Sequence, residues 1–314
     1  VSFDGNFVAS NPLHDMGTAH LVANGIAGTQ MLATNMAISE LSVLHRTSLT
    51  VVGRLEVTGN VTVDDATLEV AETGQLVLSE NDFGRATVMR PNQGELLGLV
   101  TRQLTLPATP NRNMAFVEQR IAIGLEGVRV QDLVGDIPTW GFDGADDPQG
   151  FANIGYWSAT ADFNYAVIGS ASDLLPVWEG VYLALAPAES YTLDFTGTMP
   201  SEDIVMDIPE DAFTALFGNA TNANVDLSII GDQQGDNKVG LDCWNSNTLQ
   251  YDHYVGGLNT NGLNSTLQSN TTCQFLPSGN TTLILPKTGN LPNGTEAETV
   301  LDLKGKLVFS TENS

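Results

Sequence analysis

The residues in this chain that come nearest to a chemical site are carboxylates close to aromatic rings. Asp162, Asp173 and Glu179 lie near Trp157, Tyr165 and Trp178. Two carboxylates at a fixed separation can cleave a glycosidic bond. Aromatic faces beside carboxylates can instead hold a sugar without cleaving it. Trp157, Trp178, Asp162 and Glu179 are therefore a candidate sugar-binding face. The competing reading, taken here, is a tryptophan core with solvated turns. Two Gly-bearing acidic stretches, "DGADD" with Asp143, Asp146 and Asp147, and "GDQQGDN" at 231–237, are candidate calcium loops. Calcium needs about six to eight oxygens, and neither stretch has the EF-hand or nonapeptide spacing. An acidic turn without metal is the default, and calcium is the one cofactor left open.

Other reaction chemistry finds little support. The histidines are His14, His20, His45 and His253, with no HExxH among them. GxSxG, P-loop and GxGxxG patterns are absent, so no enzyme is expected. His253, between two tyrosines, is expected to pack or to face solvent. Cys243 and Cys273 are the only cysteines. They either close a disulfide inside the last module or stay as two buried thiols. Asn-x-Ser/Thr occurs at Asn60, Asn219, Asn264, Asn270, Asn280 and Asn293, which points to an exposed extracellular surface.

Composition narrows the partners. The 314 residues carry a net charge of −25, which repels nucleic acid and anionic lipid and suits a protein kept soluble in strong salt. No run of 18 apolar residues occurs, so no membrane insertion is expected. No signal peptide is visible, and the chain opens "VSFDG" without Met. A mature or excised segment of a longer precursor is expected.

The elements that must position these residues read as β throughout. Residues 1–47 are expected to be an arm docking on another subunit, or to contain a short amphipathic helix over Met31 to Leu44. From 48 to 84 the pattern is period two, with Leu49/Val51, Leu55/Val57, Val61/Val63, Leu68/Val70 and Leu76/Leu78 separated by Gly and Asp turns. That spacing predicts a short β-solenoid or meander stalk of about two coils. Residues 85–210 and 211–314 read as two related β-sandwich-like modules. "IGYWSATADFNYAV" and "LDCWNSNTLQYDHYV" match as Trp/Tyr hairpins, and "LLPVWEGVYLALAP" is paired with "QFLPSGNTTLILP". Each hairpin is expected to hold a cross-strand aromatic pair.

The stretch "MAFVEQRIAIGLEGVRVQDLVG…WGFDGADDPQGFANIGYWSAT…LLPVWEGVYLALAP", preceded by "GRLEVTGNVTVDDATLEVAETGQLVLSE", resembles stalk-plus-β-module segments of large secreted surface and adhesin proteins of Bacteroidota. The resemblance covers roughly residues 49–290. It implies export by the type IX system and roles in adhesion, gliding or cell contact. Two departures stand out: Ile123-Gly124-Leu125 replaces a usual Ser-Ser-Pro, and no C-terminal sorting domain is recognisable.

The expectation is an extracellular or cell-surface, non-enzymatic structural protein, a subunit or segment of a filament, appendage or adhesin. Its partners would be copies of itself or a longer parent assembly, joined by strand and arm contacts. The alternatives are a carbohydrate-binding module, calcium-dependent or not, acting on cell-surface glycans, and a phage or viral fibre or capsid decoration protein.

Overall fold

The fold is described from a computed structural model over residues 2–3, 7–8, 14–15, 19–24, 29–33, 35–81, 84–108, 116–161, 165–187, 190–209, 215–219, 225–226, 240–255, 258–259, 266–267, 269–275, 281–285 and 287. The chain begins as a three-walled β-solenoid. Its coils are β1 (Ser2–Phe3), β2 (Phe7–Val8) and β3 (His14–Asp15), then β4 (His20–Ala23), β5 (Thr29–Ala33) and β6 (Met36–Ile38). The next are β7 (Glu40–Leu44), β8 (Ser48–Val51) and β9 (Arg54–Val57), then β10 (Asn60–Asp64), β11 (Thr67–Val70) and β12 (Gln75–Leu78). A small hairpin, β13 (Glu80–Asn81) and β14 (Gly84–Arg85), interrupts the path before the last coil, β15 (Thr87–Met89), β16 (Glu95–Leu97) and β17 (Val100–Leu106). The walls run β1-β4-β7-β10-β15, β2-β5-β8-β11-β16 and β3-β6-β9-β12-β17, and every coil-to-coil pairing is parallel.

Parallel register places like on like. Leu21, Leu41, Val61 and Val88 form one inward row. Leu49, Leu68 and Leu96 form a second, and Met36, Leu55, Leu76 and Val100 a third. All are buried, so each coil hides the apolar row of its neighbour. The corners need glycine: a Cβ on Gly94 would lie 1.7 Å from the Val63 carbonyl oxygen of the coil before.

The expectation of an arm or helix over the first 47 residues is corrected. Strands cover 29–33, 36–38 and 40–44, with Leu32 buried and Met31 37% exposed. The apolar positions of this stretch fit periods of two and of three to four. Neighbouring coils offer a full ladder of backbone partners, whereas a short helix would have to nucleate alone. The stalk is accordingly longer than the two coils expected over 48–84, and it ends at Leu106 rather than at residue 84.

The first module contains β18 (Val117–Ile121), a 3-10 turn at Val130–Leu133, β19 (Ile154–Trp157), β20 (Tyr165–Val167), β21 (Val181–Leu185) and β22 (Tyr191–Gly197). Its antiparallel sheet has the order β18-β21-β19-β20, while β22 returns antiparallel onto β17. The second module contains β23 (Ile204–Ile208), β24 (Ala215–Gly218), β25 (Val225–Asp226), β26 (Leu241–Asn245), β27 (Gln250–Val255), β28 (Leu258–Asn259), β29 (Thr266–Leu267), β30 (Thr272–Phe275) and β31 (Thr281–Leu285). Its main sheet is β24-β30-β26-β27-β28, and β23 pairs antiparallel with β31.

Two copies of one unit emerge from these orders. A strand before the sheet (β17, β23) pairs with the strand after it (β22, β31), and between them four strands take the same antiparallel order. Even the small β25·β29 pairing has a counterpart in the Arg129–Leu174 bridge. The matched hairpins hold: Trp157 faces Tyr165, and Trp244 faces Tyr251. The Leu-Pro matching is corrected by one strand. VYLAL at 181–185 corresponds to TCQF at 272–275, whereas TTLIL at 281–285 corresponds to β22. The common feature is the connection after the fourth strand, which carries Pro187 in one copy and Pro277 in the other.

One hydrophobic core runs without a break from Leu21 in the solenoid to Met199. A second holds the later module, and it takes in Trp157 from the first. The corner geometry gives a prediction. Gly94→Ala should lower the free energy of unfolding by about 2 kcal/mol or more, because overpacking must displace the neighbouring coil. Gly169→Ala, whose Cβ would meet nothing closer than 3.6 Å, should change it by less than about 0.5 kcal/mol. Urea titration of the two variants is the check.

Candidate functional site: an arginine and aromatic joint

The aromatic residues singled out in the sequence lie where the two modules meet. On β18 the alternation places Arg120 opposite Tyr182 of β21. The Arg120 guanidinium stands 5.0 Å from the Tyr182 ring, 5.3 Å from Trp244 and 4.9 Å from Tyr251. Its Nη1 donates to Gln274 Oε1 at 3.0 Å, and the Tyr251 hydroxyl donates to the same oxygen at 2.7 Å. Glu118 pairs with Nε, and the side chain is 15% exposed. Trp244 meets Tyr251 edge-on at 5.3 Å and donates Nε1–H to Gln119. A cation ringed by three faces and shielded from water gains far more than one on an open surface.

Main-chain bonds continue the joint. Gly180 N–H donates to the Leu216 carbonyl, and Gly218 N–H donates to that of Trp178. Both positions admit only hydrogen, since a Cβ would lie 2.3 Å from the Leu216 side chain or 2.1 Å from Ala122. Asn270 is buried at a φ of 58° and donates Nδ2–H to the carbonyls of Ala122 and Ile123. Asn219, also buried, donates to Leu267.

Three further arginines stand near the end of the solenoid, where the modules pack against it. Arg85 pairs with Glu80 at 2.8 Å and donates to the Ser269 carbonyl and Thr271 hydroxyl of the second module. Arg90 donates to the carbonyls of Pro200 and Lys287. Arg102 occupies the inward row above Leu78 and donates to the Ala86 carbonyl. Burial, with Arg85 nearby, draws its pKa down to about 9, against a smaller opposing pull from Glu80.

Trp157 of the proposed sugar face is 1% exposed and packs in the second core, 6.1 Å from the partly buried Trp178. That correction has a packing cause: the face of β19 carrying Trp157 is covered by the second module. Glu179 bridges to Phe217, and desolvation raises its carboxyl pKa above the usual value against smaller opposing backbone hydrogen bonds. Asp162 lies outside the described residues. The three calcium candidates do not gather. Asp146 accepts from the Thr139 amide and hydroxyl, Asp147 caps Gln149, and Asp143 joins the 169–171 segment through its backbone. Among the described residues no three His, Cys, Asp or Glu side chains form a metal-binding group, and 231–237 lie outside them.

Cys243 and Cys273 face each other across β26 and β30 and form a disulfide. His253 is exposed and pairs with Asp242 across β26 and β27. Of the sequons, Asn60 is exposed, but Asn219 and Asn270 are buried by the joint, which corrects the expectation of surface acceptors there. Asn264, Asn280 and Asn293 lie outside the described residues.

The arginines were missed as functional positions, although one signal was present. Arg102 shares its parity with Val100, Leu104 and Leu106 in "VTRQLTL", which marks it as inward. Compared with protein-family models, curated proteins and solved structures, the chain matches none.

The joint makes two predictions. Arg120→Met, which keeps the aliphatic stem, should cost about 2–3 kcal/mol and raise acrylamide quenching of tryptophan fluorescence as Trp244 loosens. For Glu179, the folded-state pKa lies above the unfolded one, so the protein loses stability as pH rises between them. Glu179→Gln should therefore be more stable than the parent at pH 7 and equal to it below about pH 4, where both forms of the parent bind the proton. Urea midpoints at the two pH values decide it.

Proposed function

We propose that the chain is a non-enzymatic structural protein of an extracellular or cell-surface assembly, a subunit or segment of a filament, appendage or adhesin, with further copies of itself as partners. The observation that carries this reading is the joint. The aromatic and cationic side chains that would equip a binding cleft are enclosed between modules, where they lock two units together. The first module shares strand β17 with the solenoid, so the three parts form a continuous load path. The disulfide fits an oxidising compartment. The net charge of −25 suits solubility in salt. No described helix is long and apolar enough to cross a membrane.

Contact between copies is assigned to sheet edges in place of the arm expected from the sequence. Among the described residues β20 is the outermost strand of its sheet, and it carries Tyr165 and Val167, 37% and 59% exposed. An edge strand with apolar side chains is a template for lateral pairing. Negative-stain microscopy and sedimentation of the purified chain in seawater-like salt should show rods or fibres. Val167→Lys should reduce the assembled fraction at least tenfold. Compact single particles at every concentration would sink the proposal.

A further inference from the structure

Three sequons fall on described asparagines, and the structure sorts them. Asn60 opens β10 and is exposed, and its Oδ1 accepts the Thr87 hydroxyl at 2.6 Å. Asn219 and Asn270 sit together at the seam between the modules, and both are at most 1% exposed. The Asn219 amide donates to the Thr271 carbonyl at 2.9 Å, and the Asn270 amide donates to the Asn219 carbonyl at 3.1 Å. Asn270 Nδ2 donates to the Ala122 carbonyl at 2.8 Å and to the Ile123 carbonyl at 3.0 Å. A side-chain amide carries two N–H bonds, so both are spent on the first module. Asn219 Nδ2 donates to the Leu267 carbonyl at 2.9 Å. Arg85 of the solenoid grips the same stretch through the Ser269 carbonyl and the Thr271 hydroxyl.

We propose that this chain matures where asparagines are not glycosylated during synthesis: Asn219 and Asn270 must stay bare for the modules to join, and Asn60 alone of the three accepts a glycan without loss of the fold. Glycan transfer joins Nδ2 to the anomeric carbon of an oligosaccharide carried on a lipid diphosphate. The carbon–oxygen bond to the diphosphate breaks, and Nδ2 gives up one proton. One N–H then remains where Asn270 uses two, and a bulky polar group must fit where neither asparagine meets solvent. A buried carbonyl left without its donor adds a desolvation penalty. The partners of Asn270 lie 148 and 147 residues earlier in the chain. The seam therefore closes only after both modules have been made, and it cannot shield the sequons from an enzyme that acts on the emerging chain. The disulfide between Cys243 and Cys273 calls for an oxidising compartment. The two features together select a compartment that oxidises thiols and leaves nascent sequons alone. This inference rests on the joint and the disulfide, so it stands or falls apart from the assembly proposal.

The test uses the full chain with Asn264→Gln, Asn280→Gln and Asn293→Gln, which leaves the three described sequons. A companion chain adds Thr221→Ala and Thr272→Val, which erase the sequons of Asn219 and Asn270 and keep both asparagines. Thr272 suits the change, because its hydroxyl is buried and has no hydrogen-bond partner among the described residues. Exported to a bacterial periplasm, the two chains should give equal yields and equal urea midpoints. Secreted from a eukaryotic host that glycosylates during synthesis, the three-sequon chain should fall at least tenfold in yield. The companion should be secreted normally, with a glycan at Asn60 by peptide mass mapping and the periplasmic midpoint retained. Equal secretion of the two chains from that host would overturn the proposal, and a lowered midpoint of the companion would overturn the assignment of Asn60. If the companion folds poorly in the periplasm, mass mapping of the secreted three-sequon chain decides alone: a folded product modified at Asn219 or Asn270 overturns the proposal, and one bare at both supports it.

Discussion

Strand β17 belongs to two structures at once, and the rest of the molecule depends on that. Through Val100–Arg102 it closes the parallel wall of the solenoid against β12, and along its whole length it pairs antiparallel with β22. Beyond β12 the exposed Thr105 amide donates to the Glu80 carboxylate. Because one strand serves both bodies, no linker separates them, and a single hydrophobic core crosses the boundary. Sharing a strand converts a flexible connection into a packed one, and it is what gives the first module a fixed frame.

The placement of cations follows from the same economy. The chain has 12 basic residues against 37 acidic ones, and four arginines sit in interior or junction positions. Arg85, Arg90 and Arg102 each donate to carbonyl oxygens of other segments, and Arg120 stands among rings. Exposed ion pairs between long side chains contribute little and are screened by salt. Bonds from a guanidinium to buried carbonyls, and a cation enclosed by aromatic faces, are screened far less. The surface can then remain strongly acidic while the joints hold at high ionic strength.

Much of the fold was legible, for reasons that can be stated residue by residue. Inward rows such as Leu49, Leu55, Leu68 and Leu76 announce period two because solenoid walls hide one side-chain parity. The Trp157–Tyr165 and Trp244–Tyr251 pairs were legible because a hairpin brings near neighbours in sequence together. What failed was non-local. Leu32, Met36 and Leu44 suit a helix or a strand, and only the adjacent coils select the strand. Whether Trp157 faces solvent depends on a module whose strands begin some fifty residues later. Asn219 and Asn270 read as glycosylation sites until that packing buries them. The Leu-Pro phrase misled because proline marks the end of a strand without saying which strand.

The two copies also show how one unit answers different mechanical surroundings. Aligned on their hairpins, Tyr156 and Val181 of the first copy occupy the places of Cys243 and Cys273 in the second: Tyr156 faces Val181, and Cys243 faces Cys273. The first copy is held at β17 by the solenoid, so an apolar pair suffices between its second and fourth strands. The second copy has only a two-stranded frame among the described residues. There a covalent link joins the same two strands and closes a loop of 30 residues in sequence, a constraint worth about 3–4 kcal/mol in the chain-entropy account. The neighbouring position makes the same point, since Tyr182 of the first copy corresponds to Gln274 of the second. Both contact Arg120, one through its ring and one through its amide oxygen. Equivalent positions of a duplicated sheet thus converge on one cation from opposite sides. The joint draws on matching positions of the two modules, and Trp157 and Trp244 of the two hairpins both lie along it.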